Sequence, residues 1–438
     1  MPRVTRSPIA GWIDPAVAFA EFCGDDSNVV WLDSGPDALT GRSYIGRAER
    51  QLSSETSASV LDALRGDLER IRVEPAPHGF ALGWVGWLGY ETRFETMDVE
   101  PSPKAAHPQS ALLFLGEAIE FDHATRAVTI LSLGDPSDRA LSLGRATPPS
   151  EPGSTVGDTA PPVPAVWRDT DGEYLAKIRE SKARIAAGDA YLLCLTTEAT
   201  VDVHPDPVET FLRLRRASPS HHGAFIRIGE VSLLSSSPEL FLSISPSGVI
   251  ESRPIKGTRP RGATPALDER LAAELRTSEK ERAENVMIVD LMRNDIGRVS
   301  VVGSVEVPSL LAVESYSTVH QLVSTVRGQL AHGLDAIDVV KACFPAGSMT
   351  GTPKSSATRI LEQLEGHRRG IYSGAFGYFG LDRRVDLAMV IRSIVLSPEG
   401  ASIGTGGGIT SLSDPDEELA EVKLKAAVLL EVLGAAER

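Results

Sequence analysis

The stretch 373–404 limits the possible folds more than any other part of this chain. Residues 373–380, a turn at 381–384, an apolar run over 385–396, a turn at 397–400 and residues 401–404 read as three antiparallel strands. In the middle strand Leu387, Met389 and Ile391 point one way, and Ala388, Val390, Arg392 and Ile394 the other. Both faces are apolar, so the strand must be covered on both sides and belongs inside a layered fold. Arg392 is then partly buried. A buried guanidinium demands an anion, either an internal carboxylate or one brought by a ligand.

A hairpin leads into the second informative stretch. Residues 240–244 and 249–252 read as its strands, with Ser245-Pro246-Ser247-Gly248 as the turn. Then comes Pro254-Ile255-Lys256-Gly257-Thr258-Arg259-Pro260-Arg261-Gly262, which with Arg253 gathers one lysine, three arginines and two glycines. A strand that ends in a rigid cationic loop suits a small anionic molecule; the alternative is a solvated basic turn. Lysine in such a place can also react, because neighbouring cations and loss of water disfavour its ammonium form and free the neutral amine to attack carbon.

This basic cluster is a local exception. The 438-residue chain has a net charge of −15, which disfavours a general nucleic-acid or anionic-membrane surface. Cys23, Cys194 and Cys343 are odd in number and lack metal-type spacing, and fit free thiols in a reducing cytoplasm. The N-terminus reaches Asp14 and Glu21 without an uninterrupted apolar segment, and no run approaches membrane-spanning length. The expectation is a cytoplasmic protein.

Three regions follow from composition. Residues 1–135 alternate short apolar runs with turns, as in the strand 29–32, the helical stretch 60–64 and the glycine-punctuated 80–90. Residues 136–165 turn to Pro, Ser, Gly, Thr and Ala and read as a flexible surface linker. Residues 166–438 form the third, C-terminal part. It opens with a helix over 171–188 that places Tyr174, Ile178, Ala183 and Ile185 near one face, followed by a strand at 190–196.

Two carboxylate pairs lie on predicted helices. Glu281 and Glu284 share the stripe of Ile288 and Leu291, while Glu418 and Glu421 follow the cap Asp414-Pro415. Taken singly each pair reads as a solvated acidic face; together they can hold one Mg²⁺, partly through water. His320 sits in an alternating strand over 316–324, where a lone histidine is commonly structural. Phe344-Pro345-Ala346-Gly347-Ser348-Met349-Thr350-Gly351-Thr352-Pro353-Lys354 is a glycine-rich loop opening a helix. It fails the P-loop spacing, because Thr352 and Pro353 separate Gly351 from Lys354. Its free N–H groups can hold a carboxylate. Gly404-Thr405-Gly406-Gly407-Gly408-Ile409 does not fit the dinucleotide pattern either.

Taken together these stretches resemble the chorismate-utilising enzymes, the family of anthranilate, aminodeoxychorismate, isochorismate and salicylate synthases. The likeness covers essentially the whole chain and is strongest from about residue 170. Residues 254–262 look like the family signature, and Lys256, where anthranilate synthases carry alanine, resembles the nucleophile of the aminodeoxychorismate-forming members. Residues 283–291 and 420–425 look like the two metal-binding segments, so Glu281, Glu284, Glu418 and Glu421 are the implied ligands of Mg²⁺. The resemblance further implies Glu239 as general acid, His320 facing the substrate ring, and Gly257, Thr258 and Ser348 lining the site. It implies Tyr372, Arg392, Gly406, Gly408 and Lys425 as holders of the enolpyruvyl carboxylate. Leu192 stands where salicylate and isochorismate synthases carry a water-activating lysine, so no base for water is expected. Near the residues matching Asp33 and Ser34, related anthranilate synthases have a feedback site.

The implied fold is α+β, a sandwich of two antiparallel sheets with helices on the outer faces. The implied reaction is amination of chorismate at C4, with ammonia delivered by a glutamine amidotransferase subunit, since no Gly-x-Cys-x-Gly nucleophile elbow occurs here. Amination at C2 to give anthranilate and a non-catalytic regulatory scaffold are the alternatives.

Overall fold

The computed structural model describes residues 3–48, 50–97, 108–143, 162–316 and 318–437. Two antiparallel sheets, of twelve and ten strands, form the centre. The alternation of side chains explains the layering. In the strand Asn28–Asp33, Val30 and Leu32 enter the core between the sheets, whereas Val29 and Trp31 pack under the outer helices Pro15–Cys23 and Pro207–Ala217. In Gly83–Leu88 of the second sheet, Val85 and Trp87 face the same inner core, and Trp84 and Leu88 face the outer helices Val60–Arg70 and Ala336–Cys343. Both sheets therefore bury both faces, and the α+β sandwich with outer helices is the observed architecture.

Residues 1–135 and 166–438 do not fold apart. Asn28–Asp33 pairs with His222–Ile228 in one sheet, and Gly83–Leu88 pairs with Ala375–Gly380 in the other. The proposed linker is ordered at both described ends. A short helix, Asp138–Ser142, buries Ala140, and Leu143 is buried just after it. Val163–Pro164 pairs in parallel with Ala435–Ala436. The remainder of that stretch, 144–161, lies outside the described residues. The helix Asp171–Ala186 starts at a reciprocal Thr170/Glu173 cap and turns Tyr174, Ile178 and Ser181 inward. Ser181 replaces the expected Ala183, which is exposed, because its hydroxyl bonds back to the Lys177 carbonyl at 2.8 Å.

Two expectations are corrected. The stretch 385–396 is not one strand: Val385–Met389 belongs to the ten-stranded sheet and Ser393–Ser397 to the twelve-stranded one, with residues 390–392 crossing between them. Its neighbour does the same, since Val231–Ser237 and Leu240–Ile244 lie in different sheets and Pro238-Glu239 makes the crossing. The crossings are tied by Met389 N–H to the Glu239 carbonyl at 3.0 Å and Ser236 N–H to the Arg392 carbonyl at 3.1 Å. A paired corner of this kind lets neighbouring strands change sheets without losing their ladder. Arg392 takes φ of +52° to turn the corner, a conformation costing about 1–2 kcal/mol for a residue with a Cβ.

The second correction concerns 254–262, which is no loop. Ile255–Pro260 is a strand paired with Val319–Gln329, with a shift of register between Ile255 and Thr258. Gly257 makes that irregularity, with φ of +84°, and a Cβ there would stand 2.7 Å from both Glu281 Cγ and Leu275 Cδ1. Among the described residues, no helix is long and apolar enough to cross a membrane.

Candidate active site

The site lies where the two crossings meet the edge strand of Lys256. The Lys256 ammonium donates to the Ser348 carbonyl at 3.4 Å. The buried Glu239, in the crossing itself, has the Ser348 hydroxyl and the Ile255 N–H as neighbours of its carboxyl group. Burial raises its pKa, opposed by the charge of Lys256 and by those two neighbours.

Lys256 differs from its expected state. Burial alone would lower its pKa, but its neighbours, Cys194 and the carboxyl groups of Glu284, Glu239 and Glu421, more than offset this, and the group stands above the ordinary lysine value. The cause is the company it keeps. The three arginines that crowd it in the sequence are each tied elsewhere: Arg253 to Glu314, Arg259 to Glu274 and Glu281 at 2.9 Å each, and Arg261 in a fork to Asp268 at 2.7–2.8 Å. They build the strand's surroundings and leave the site cation to Lys256. Thr258 is exposed.

Opposite Lys256 runs the glycine strand Gly400–Ile409, paired with Leu192–Val201 so that Cys194 faces Gly408 and Thr196 faces Gly406. Small residues are required here. A Cβ on Gly404 would run into the ring of buried Tyr372, and one on Gly406 would lie 2.5 Å from the Leu195 carbonyl. Lys425 donates to the Gly406 carbonyl at 2.8 Å and pairs with Glu421 at 2.7 Å. Leu192, fully buried, stands beside Gly408 as an apolar wall.

Arg392 has no internal carboxylate. Among the described residues its guanidinium makes no ion pair and no hydrogen bond, and burial lowers its pKa, with Tyr372 and Glu421 only partly opposing. A strained, desolvated cation without an anion is poised for one supplied from outside.

The acidic groups fall into two sets. Glu284, on the helix Glu279–Gly297, is buried with Oε1 unpartnered; desolvation pushes its carboxyl up to about 7, opposed by Lys256 and Lys280 and assisted by Glu418 and Glu421. Glu418 and Glu421 come from the helix Pro415–Val432, capped by Asp414. Glu418 is buried against Lys280 at 2.5 Å, and its Oε2 lies 3.2 Å from where a Cβ of Gly407 would be, as Glu284 Oε2 lies 3.3 Å from one on Gly408. Glu281 stands apart, bridged to Arg259. No group of three or more His, Cys, Asp or Glu among the described residues is gathered closely enough to hold a metal ion as it stands. The orphaned oxygen of Glu284 and the lysine-neutralised Glu418 and Glu421 are nevertheless a donor set that fits Mg²⁺, whose charge would replace that of the ammoniums. Glu281 would have to give up Arg259 to join them.

His320 is buried with both ring nitrogens engaged, Nδ1 with Ser315 at 2.8 Å and Nε2 with Asp268 at 3.0 Å. The structure therefore gives it the satisfied, structural partners of the alternative reading. Lys354, at the end of the glycine-rich loop, pairs with Asp295 at 2.6 Å and holds the Cys343 carbonyl at 2.7 Å. Sequence reasoning missed Lys280, although its position one turn before Glu284 was a signal. It also missed Arg369, which nothing but its closeness to Tyr372 would have suggested.

A separate cavity of about 610 Å³ lies between the sheets, lined by Asp33, Ser34, His221, Tyr378 and Asp386 among others. Asp33 is bound there by Arg215, with contacts of 2.7 and 3.1 Å.

The model of the chorismate binding enzyme family matches residues 27–431. The aminodeoxychorismate synthase of Streptomyces griseus is 40% identical over 470 residues, covering 99% of this chain but 64% of that protein, so the chain spans less than two thirds of its length. The anthranilate synthase component 1 of Streptomyces coelicolor is 36% identical, over 97% of this chain and 87% of the relative. The crystal structure of anthranilate synthase component I from Streptococcus pneumoniae superimposes with a TM-score of 0.74 at 25% identity, covering 98% of this chain and 92% of that one.

Proposed function

We propose, from the premise that this chain belongs to the family of chorismate binding enzymes, that it is the chorismate-aminating component of an aminodeoxychorismate synthase. The observation that carries the reading is Lys256 beside Glu239 and Ser348; by the resemblance, anthranilate-forming members carry alanine at that position. Overall identity does not discriminate, because relatives of both kinds match at similar levels.

In this reading Arg392 binds the enolpyruvyl carboxylate, with Tyr372, Lys425 and the glycine strand shaping its pocket. Glu284, Glu418 and Glu421 would hold Mg²⁺, which supplies a charge for the ring carboxylate and draws electron density from the diene. One proton transfer prepares both reacting groups. The Lys256 ammonium passes a proton to the Glu239 carboxylate, giving the neutral amine and the carboxylic acid together; burial raises the pKa of Glu239, which favours this exchange, while the carboxylates around Lys256 raise its own pKa and oppose it. The C2–N bond then forms as the double bonds shift and the C4–O bond breaks, with the Glu239 proton leaving on the oxygen as water. Ammonia adds at C4, the shift runs back, and Lys256 departs to give 4-amino-4-deoxychorismate. Buried Leu192 supports exclusion of activated water. The ammonia is supplied by a glutamine amidotransferase partner, in keeping with the component naming of the Streptomyces coelicolor relative, and the protein works in the cytoplasm.

The test is incubation of the purified protein with chorismate, Mg²⁺ and ammonium, followed by product identification. Aminodeoxychorismate is expected; anthranilate, salicylate or no turnover would reject the assignment.

A further inference from the structure

Behind the site lies a buried guanidinium that the reaction scheme does not use. Arg369 has a side chain 1% exposed, and its donors are spent on three different walls of the cleft. Nε and Nη2 form a fork to Glu365 at 2.9 and 2.7 Å. Nη1 donates to the Met349 carbonyl at 2.6 Å and reaches the Ser373 hydroxyl at 3.4 Å, while Nη2 donates to the Cys194 carbonyl at 2.9 Å. Glu365 in turn accepts from the N–H and hydroxyl of Thr196, both at 3.0 Å. The backbone of the arginine is fixed too, since Glu91 accepts from the N–H groups of Arg369 and Gly370 at 3.1 and 3.0 Å.

Each contact is one residue or one strand pairing away from a group that would meet substrate. Met349 follows Ser348, the neighbour of Lys256 and Glu239, and ends the 3₁₀ turn Gly347–Met349, where its carbonyl accepts from Arg369. Ser373 follows Tyr372. Cys194 and Thr196 pair with Gly408 and Gly406. The spacing between the Lys256 end and the carboxylate-binding end of the cleft is thus set through one planar cation. Stability alone is a poor reason for it, because a buried ion pair is commonly no better than apolar residues of the same volume.

We propose that Arg369 is a positioning residue for chorismate conversion, holding the Ser348 turn, the Tyr372 turn and the strand Leu192–Val201 in mutual register. The inference rests on the cleft being the chorismate site. Lysine cannot replace the fork, since its ammonium is a single point charge.

The experiment compares the protein with Arg369→Lys and with the double variant Glu365→Leu/Arg369→Met, which leaves no unpaired charge behind. Three readouts are taken on folded protein: kcat and KM for chorismate at saturating ammonium, the thermal midpoint, and hydrogen exchange across 346–350 and 370–374. Both variants are expected to lose about 100-fold in kcat/KM, the usual consequence of misplacing reacting groups by an ångström. Exchange in 346–350 should rise in both variants, and kcat/KM should fall under conditions where each is still folded. Variants that melt lower yet keep kcat and KM within about twofold would show a purely structural pair and overturn the proposal. If the parent itself does not convert chorismate, the reading of the cleft fails instead. Exchange then decides alone, and unchanged protection of 346–350 in the variants overturns the positioning role.

Discussion

Replacing Arg392 separates function from stability in a way the structure makes quantitative. The guanidinium is desolvated, lacks an internal anion among the described residues, and sits at φ of +52°, so the ligand-free protein gains nothing from its charge. A charge-assisted hydrogen bond from it to a carboxylate contributes about 1.5–3 kcal/mol. Arg392→Met should therefore cost about 3 kcal/mol of chorismate binding, a rise of about 150-fold in KM. Stability in the absence of substrate should stay level or rise by about 1 kcal/mol, because the substitution removes a desolvated charge without an anion while the backbone at 392 keeps its φ. Steady-state kinetics and a urea melt of the ligand-free protein measure the two effects. The reasoning is refuted if KM stays within about twofold, or if the melt shows a loss above about 2 kcal/mol, since either result means the arginine is satisfied internally.

Other outcomes follow from the same geometry. Lys256→Ala should abolish aminodeoxychorismate formation or divert the product to anthranilate, read by chromatography against both standards; unchanged product would remove the amine from the chemistry. Asp33→Ala removes the buried carboxylate that pairs with the partly buried Arg215 and should cost about 3 kcal/mol in a denaturant melt; a change under about 1 kcal/mol would contradict the pairing. Asp386 lines the inter-sheet cavity, and burial pushes its carboxyl up to about 7, with only Arg384 opposing. Its folded value lies above the unfolded value of about 4, so the folded state holds the extra proton between those limits and stability falls as pH rises through that window. Asp386→Asn should then stabilise the protein by about 2 kcal/mol at pH 8, allowing for solvent in the cavity, and leave it unchanged near pH 4. Equal melts of the two proteins at both pH values would contradict this. All three cysteines are buried, with Cys23 and Cys343 pushed up to about 12, so the native protein at pH 8 should resist thiol reagents until unfolded.

How far the sequence reaches can be judged from single residues. The helix of Glu418 and Glu421 was legible because Asp414 and Pro415 mark its start chemically, and Asp414 does accept from the N–H groups of Asp416 and Glu417. The two-faced apolar pattern of 385–396 was legible as burial but not as a break. The alternation continues across Arg392, and nothing in an arginine announces a left-handed backbone. Residues 254–262 looked like a loop because Pro and Gly punctuate them; their pairing with Val319–Gln329 is a contact across some sixty residues that local pattern cannot see. The state of Lys256 inverted for a related reason. Its sequence neighbours are cations, whereas its spatial neighbours, Glu239, Glu284 and Glu421, come from three distant segments.

Intact-protein mass spectrometry of the enzyme quenched during reaction with chorismate and Mg²⁺ but without ammonium tests the covalent role of Lys256 most directly. A neutral amine that displaces the C4 hydroxyl as water leaves the chain heavier by about 208 Da, on the peptide that contains Lys256. That adduct should accumulate without ammonium, vanish when ammonium is added, and be absent in Lys256→Ala. Turnover to aminodeoxychorismate by a Lys256→Ala protein, with no adduct on the parent, would contradict the account.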